Sequence, residues 1–392
     1  MPNKPLAVVV VGNYAADGLE SMLRFARCLE ALLPREGIEV VPATPELKWG
    51  KAFGPYRYRG FPKWLGYIDK YLVFPRRLEK RLAALRMRGP VVVHVLDHGN
   101  ANYVPRRRQE PWVVTCHDLL AVRAALGQDT QIRPSRMGRI QQQAIVAGLL
   151  RADRVVCDSV YTQNDWRALQ PDSPVDHAPV VWVGLNHPYR RLDTAVAWSR
   201  LDAAGFGELR SRPFLLHIGS NQPRKNRDGF LRMAVRLAQT HEIGVVLAGP
   251  DLNEALSRQV AELGLGARLT VIVRPDNDVV EALYNTAHAL LFPSHFEGFG
   301  WPVAEAQACG CPVVCANTSS LPEVAGDGAL LHAVADEAGM MDSLSRLFDP
   351  VVRGALIERG TRNVERFAPE RMAQGYAEIY QKLAEDAGGG NW

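Results

Sequence analysis

Residues 288–316 constrain this chain most, because they spell out strand, helix and strand in one short run. An apolar stretch, His288 to Phe292, leads into a loop of Glu297, Gly298, Phe299 and Gly300. Pro302 stands where a helix begins, Gly310 where it stops, and Pro312 leads into a second apolar run, VVCA. Proline loses nothing in a first helical turn, where its missing N–H has no intrahelical acceptor and its φ is already set. Glycine past the last turn ends the helix. Strands this uniformly apolar are buried on both faces, as in a parallel sheet with helices on either side.

The same run gathers backbone N–H groups and the positive end of a helix dipole at Gly298 to Gly300, which makes an anion site. Two acids frame it, Glu297 in the loop and Glu305 one turn into the helix. A carboxylate repels an anion, so both acids suit sugar hydroxyls: Glu305 the diol of a ribose, Glu297 the hydroxyls of a second sugar. E-x7-E with GFG after the first Glu, then G-x-P-V-V and a later Pro322-Glu323, resembles the donor site of the retaining glycosyltransferases of family 4. That resemblance implies an α/β chain with two Rossmann-like doubly wound domains facing a cleft, the GT-B arrangement.

With 392 residues the chain exceeds one ordinary core, and two domains are expected. No run approaches the roughly 18 apolar residues of a membrane span, and PNKPLAVVVVG reads as a first strand, not a signal peptide. Six cysteines, most within apolar segments, point to reduced thiols and a cytoplasmic protein. Cys309, Cys311 and Cys315 lack a paired C-x2-C and read as small buried hydrophobes, not metal ligands.

Leu6 to Val11 opens the first domain as a buried strand, followed by a loop with Gly12 and Gly18 and a helical pattern from Leu19. In the resembled family this first loop is glycine-rich and approaches donor phosphate or acceptor, which carries Gly12 over; a plain βα turn explains it equally. Ile38 to Pro42 is a second strand. From Lys48 to Arg88 the chain holds twelve Lys or Arg against Asp69 and Glu79, with nine aromatics among them. A basic aromatic stretch fits a face on anionic lipid or an anionic acceptor, and equally a solvated face over an aromatic core. No stacking-module motif accompanies it, so nucleic acid is not expected.

Val91 to Leu96 is a strand ending in Asp97-His98, and Trp112 to Cys116 another, ending in His117-Asp118. Ligands gather at the carboxyl ends of such strands. The resemblance places His117 beside the transferred sugar. Asp118 either orients its ring or caps the next helix, and Ser159 reads as a helix cap. Residues 1–190 form this acceptor-side domain.

The nucleotide-sugar domain is expected over 191–365. Pro213 to Gly219 opens it, followed by a loop carrying Arg224, Lys225 and Asn226. Cations at a helix entrance oppose the dipole unless an anion comes between. Arg offers a planar fork to a diphosphate and Lys a point charge. The resemblance assigns Gly219, Arg224 and Lys225 to the donor diphosphate and the loop backbone near Arg274 to the base. Asp276-Asn277-Asp278 mimics a D-x-D metal site but precedes a helix, so it reads as a cap with a first-turn acid. No metal and no cofactor are expected. Residues 366–392 read as a terminal helix, with Met372, Tyr376, Ile379 and Leu383 on one face, crossing back to the first domain ahead of a loose tail.

The resemblance implies a retaining transferase that moves a hexose from a nucleotide-diphosphate sugar, GDP-mannose or a UDP-hexose, to a glycan or lipid-linked acceptor. The enzyme would be cytoplasmic or peripheral on the inner membrane face. His117, Arg224, Lys225 and Glu297 are the expected catalytic residues; Gly12, Gly219, Arg274, Gly298, Phe299, Gly300 and Glu305 join the clamp cations as donor-binding residues. A GT-B epimerase or phosphorylase, and a non-catalytic lipid-surface or nucleic-acid protein, stay open as alternatives.

Overall fold

The computed structural model describes residues 5–14, 17–18, 20–46, 66–128, 130 and 132–389. The chain divides into two compact units, one running to Asn186 and resuming at Pro369, the other spanning His187–Ala368.

Unit 1 opens with β1 (Ala7–Val11), α1 (Glu20–Leu32), β2 (Glu39–Ala43), α2 (Phe74–Arg86), β3 (Val91–Val95) and β4 (Trp112–Cys116). It continues with α3 (Leu120–Ala125), α4 (Arg136–Leu149), β5 (Arg154–Cys157) and α5 (Val160–Leu169). The strands pair in parallel in the order β2-β1-β3-β4-β5. Every residue of β1, β3 and β4 is buried, which is why these strands read as unbroken apolar runs.

Unit 2 contains α6 (Thr194–Ala203), β6 (Phe214–Ile218), α7 (Arg227–Leu237), β7 (Gly244–Gly249), α8 (Glu254–Glu262), β8 (Leu269–Val273) and α9 (Asn277–Thr286). Then come β9 (Ala289–Phe292), α10 (Trp301–Ala308), β10 (Val313–Ala316), α11 (Leu321–Ala325), β11 (Leu330–His332), α12 (Glu337–Arg346) and α13 (Pro350–Val364). Its sheet is also parallel, in the order β11-β10-β9-β6-β7-β8. The runs read as strands from sequence are strands, to within the fraying of element ends.

Strand order reverses between β1 and β3 in unit 1 and between β6 and β9 in unit 2. Loops leaving such a pair diverge to opposite faces and open a crevice at the carboxyl ends. Each unit therefore carries one such crevice.

The last helix, α14 (Pro369–Gly389), packs on unit 1 through Met372, Tyr376, Tyr380 and Leu383, all buried. Ile379, expected on that face, is only half-buried; Tyr380 takes its place. The reason is polar. His94 of β3 is fully buried, its Nδ1 2.6 Å from the Tyr380 hydroxyl and its Nε2 2.7 Å from Thr115 Oγ1, which also meets the Tyr376 hydroxyl at 2.7 Å. Burial, reinforced by the charge of His117, pushes the His94 pKa down to about 3. The ring is neutral, donating through one nitrogen and accepting through the other.

Residues 48–65 of the basic aromatic stretch lie outside the described residues. In its described part some side chains face outward, as Leu72 does, and others turn inward. Phe74 is buried and meets Tyr103 edge-on, ring centroids 5.0 Å apart. Lys70 is buried too, paired with Asp17 at 2.6 Å. Among the described residues no helix is long and apolar enough to cross a membrane.

Candidate active site

In unit 2, the loops that follow β6 and β9 are clipped together. Pro223–Lys225 forms a single 3-10 turn, and Asn226 follows in the left-handed region at φ 52°. Asn226 caps α7 by accepting from the Gly229 N–H at 3.2 Å, while its amide donates to the Pro293 carbonyl at 3.0 Å. The His295 N–H donates to the Arg224 carbonyl at 2.7 Å, and Arg224 Nη1 to the Phe296 carbonyl at 2.9 Å. Both cations thus precede the helix cap and stand at the β6/β9 crevice.

Glu297 meets them there. Its Oε1 lies 2.7 Å from Lys225 Nζ; its Oε2 lies 2.9 Å from that Nζ and 2.9 Å from Arg224 Nη1. Burial works to raise the Glu297 pKa, but the two cations outweigh it and hold the carboxylate below its usual range. Burial pulls the Lys225 ammonium down, opposed by Glu297 and also by the charge of Glu305. Both acids of the E-x7-E pattern therefore act on one lysine. The sequence reading assigned Glu297 to sugar hydroxyls; here both its oxygens are engaged by the cations, because a buried ammonium requires a counter-charge.

Glu305 is buried in α10, and its Oε2 accepts from the Tyr284 hydroxyl at 2.9 Å. Burial, then the Glu305 charge, pushes the Tyr284 phenol well above its ordinary pKa, so it stays a donor. Tyr284 was not legible in sequence, since it reads as one more apolar position of α9. Ser319 and Ser320 were also missed. The Glu297 N–H donates to Ser319 Oγ at 2.9 Å, and the Ser320 hydroxyl lies 3.0 Å from the Glu297 carbonyl and 2.7 Å from that of Phe299. The signal was the serine pair just ahead of the Pro322-Glu323 element.

The glycine loop does what its sequence suggests at one end only. Gly300 holds φ 104° at the start of α10, and a Cβ there would fall 2.7 Å from Leu321 Cδ2. Gly298 leads into it as a bend. Phe299 is a buried anchor, edge-on to Phe367 at 5.3 Å, so its backbone and not its ring is what the crevice receives. Nearby, Gly249 has φ 140°, and a Cβ would come within 2.2 Å of the Gly219 carbonyl. Arg274, itself at φ 50°, ties its N–H to the Gly249 carbonyl at 2.7 Å, while its side chain is exposed.

Asp276 caps α9, accepting from the Val279 N–H at 2.8 Å. His187, Asp278 and Glu281 bring ligand atoms within 4.8 Å of one another. A cation is already present: Arg200 Nη1 lies 2.6 Å from Glu281 and 3.5 Å from Asp278. Cys309, Cys311 and Cys315 are buried, and burial pushes all three thiols up, Cys311 and Cys315 to about 12.

In unit 1, the β1/β3 crevice joins Asn13 to Asp97, amide nitrogen to Oδ2, at 2.5 Å. Gly12 donates its N–H to the Ala43 carbonyl at 3.1 Å. His117 has Nδ1 2.5 Å from Asp158 Oδ2 and Nε2 2.8 Å from the Leu96 carbonyl, with Phe25 edge-on at 5.2 Å. Both ring nitrogens face acceptors, so the ring donates from both and carries a charge. Burial opposes this, but the charge and hydrogen bond of Asp158, with Asp97 behind, raise His117 to about 9. Asp118 accepts from the Leu120 N–H at 3.0 Å and shapes the turn into α3, leaving Asp158 to hold the ring. Asp158 also lies at a strand's carboxyl end, and the rule that found Asp97 and His117 would have found it. Ser159 caps α5, accepting from the Thr162 N–H at 3.1 Å.

Two family models cover both units. Glycosyltransferase Family 4 matches residues 8–183, and Glycosyl transferases group 1 matches residues 203–354. The chain belongs to the family 4 glycosyltransferases. Its relatives include the D-inositol 3-phosphate glycosyltransferase of Mycobacterium sp. (strain KMS), 31% identical over 68% of this chain; the match spans 61% of that protein's length. The O-antigen chain mannosyltransferase B of Escherichia coli is 27% identical over 95% of this chain and 96% of its own. The sucrose-phosphate synthase of Thermosynechococcus elongatus superposes with a TM-score of 0.76 at 19% identity, covering 97% of this chain and 100% of that one. Two parallel-sheet α/β units of this kind make the GT-B class of fold.

Proposed function

We propose that this family 4 chain is a retaining hexosyltransferase using a nucleoside-diphosphate sugar. The observation that carries the proposal is that half-buried Arg224 and buried Lys225 both pair with buried Glu297 at the β6/β9 crevice. Two cations held ready by one carboxylate suit an incoming diphosphate. In the transfer, the bond from the anomeric carbon to the diphosphate oxygen breaks and its electron pair goes to that oxygen. The acceptor hydroxyl oxygen bonds to the same carbon from the same face, and its proton passes to the leaving phosphate. Arg224 and Lys225 stabilise the charge that grows on the leaving group, a preorganised electrostatic effect. Glu297, released by the diphosphate, orients the sugar.

Glu305, fixed by Tyr284, takes the ribose hydroxyls, and the loop at Arg274 takes the base. Gly219 and the backbone of Gly298, Phe299 and Gly300 complete the donor contacts. In unit 1, Gly12 and His117 are assigned to the same reaction. Mannose is the sugar favoured, from GDP-mannose, on the likeness to the Escherichia coli mannosyltransferase along nearly the whole chain. A glycan or lipid-linked hydroxyl is the acceptor class.

A thermal-shift screen of GDP, UDP and ADP with their sugars tests the donor, since a ligand at about 100 times its Kd stabilises by about 2.7 kcal/mol. NMR of the product's anomeric configuration tests retention. Absence of any nucleoside-diphosphate shift overturns the reading, and isomerised donor without transfer replaces it with an epimerase.

A further inference from the structure

Arg227, the first residue of α7, is a cation that the clamp does not use. It is 3% exposed, yet its guanidinium meets no carboxylate among the described residues. Asp228, next in sequence, pairs with Arg232 at 2.9 Å, and Asp251 Oδ1 accepts from the Leu252 N–H at 2.8 Å. The partners of Arg227 are neutral oxygens. Nη2 donates to the Gly219 carbonyl and, at 3.1 Å, to that of Ala248; Nη1 donates to Asn221 Oδ1 and, at 3.3 Å, to the Pro250 carbonyl. Burial, with no charge opposing it, pulls the guanidinium pKa down to about 10, so the side chain stays charged at neutral pH. A buried charge without a counter-charge is costly. Glu297 relieves Arg224 and Lys225 of that cost, and nothing equivalent relieves Arg227.

The acceptors lie on the segments that leave β6 and β7, so one side chain fixes the two exits against each other. Gly249, at φ 140°, permits this: a Cβ there would fall 2.2 Å from the Gly219 carbonyl and 2.9 Å from Arg227 Nη2. Gly219 in turn lies against the clamp, a Cβ on it falling 3.4 Å from Lys225 Cδ. In a planar trans peptide the N–H points opposite to the carbonyl. With the Gly219 carbonyl held by Arg227, the Ser220 N–H turns away from the guanidinium, and it has no acceptor among the described residues. Resting on the diphosphate-sugar reading, we propose that Arg227 is a positioning residue of the donor site: it holds the Gly219–Ser220 peptide so that the Ser220 N–H donates to the donor's diphosphate. The guanidinium polarises that peptide, and the anion supplies the counter-charge that no carboxylate provides.

Calorimetric titration of the full chain with GDP and UDP, beside NMR titration with guanosine and uridine, tests this. Arg227→Met is expected to weaken nucleoside diphosphate by about 10- to 100-fold, the range for a hydrogen bond to a charged group, and to leave the nucleoside unchanged. Arg227→Lys, which keeps the charge without the fork, is expected to recover part of that loss. In the wild type, the Ser220 amide proton, followed by selective 15N labelling, is expected to move downfield as the diphosphate binds. That signal decides the matter should Arg227→Met fail to fold. Equal losses for nucleoside and nucleoside diphosphate would make Arg227 a staple of the two loops alone and overturn the proposal. Diphosphate affinity at the wild-type level, or an unmoved Ser220 amide, overturns it too while leaving the donor reading intact. Wild-type protein that binds neither GDP nor UDP overturns both.

Discussion

Lys225 and Glu297, 72 positions apart in sequence, are joined twice, Nζ to Oε1 at 2.7 Å and Nζ to Oε2 at 2.9 Å. A diphosphate that enters this crevice meets cations that already own a counter-ion. Removing that counter-ion leaves a buried ammonium unpaired, which costs on the order of 3–5 kcal/mol. Glu297→Gln is therefore expected to melt well below wild type when unliganded. A nucleoside diphosphate then supplies the missing charge, so its thermal shift should exceed the wild-type shift while transfer slows. An equal or smaller shift would mean that Glu297 does not compete for the diphosphate site.

Arg224→Ala and Lys225→Ala each remove a cation from the proposed diphosphate clamp. A fall of ~100-fold or more in kcat/KM is expected, the scale for lost charge-stabilising donors. Turnover near wild type in both, with the true donor, would refute the clamp.

Tyr284 donates to Glu305, the residue proposed to hold the ribose. Glu305→Gln is expected to weaken nucleoside diphosphate and raise KM, since ribose is held alike before and during reaction. Tyr284→Phe loses one hydrogen bond to a charged group, worth about 1.5–3 kcal/mol, so part of that loss should recur with kcat little changed. Calorimetric titration of both variants decides it; normal affinity in Tyr284→Phe would make the contact structural only.

His117 gains its proton's hold on folding, its pKa rising from 6.5 to about 9. A base with a raised folded pKa stabilises fully below its unfolded value and loses that contribution as pH climbs through the folded value. Wild-type stability should decline across roughly pH 6.5–9, and Asp158→Asn should flatten the decline. Melting curves over that window, with the His117 ring nitrogens followed by 15N NMR, test it. A neutral ring at pH 7 in the wild type would contradict the charged assignment.

Tyr380→Phe takes the partner from His94 Nδ1, a fully buried ring nitrogen. A loss of about 1–3 kcal/mol is expected, the cost of leaving a buried polar atom unsatisfied. An unchanged melting temperature would show that α14 docks through its apolar contacts alone.

Apolar runs, the Pro302 and Gly310 punctuation and the E-x7-E spacing are local signals, and they determined the strands, the helix limits and the family likeness by themselves. Backbone preference and burial periodicity act over a few residues, so sequence carries them. What each acid faces is another matter. Glu297 was legible as a site residue, yet its pairing with Lys225 depends on β6 and β9 lying side by side, which strand order alone decides. Asp158 meets His117 because β4 and β5 are neighbours, and Tyr380 meets His94 because α14 returns to unit 1. Charge pairing and buried hydrogen bonds act through space over a few ångströms, and residues this far apart in the chain reach that range only once the sheet is assembled.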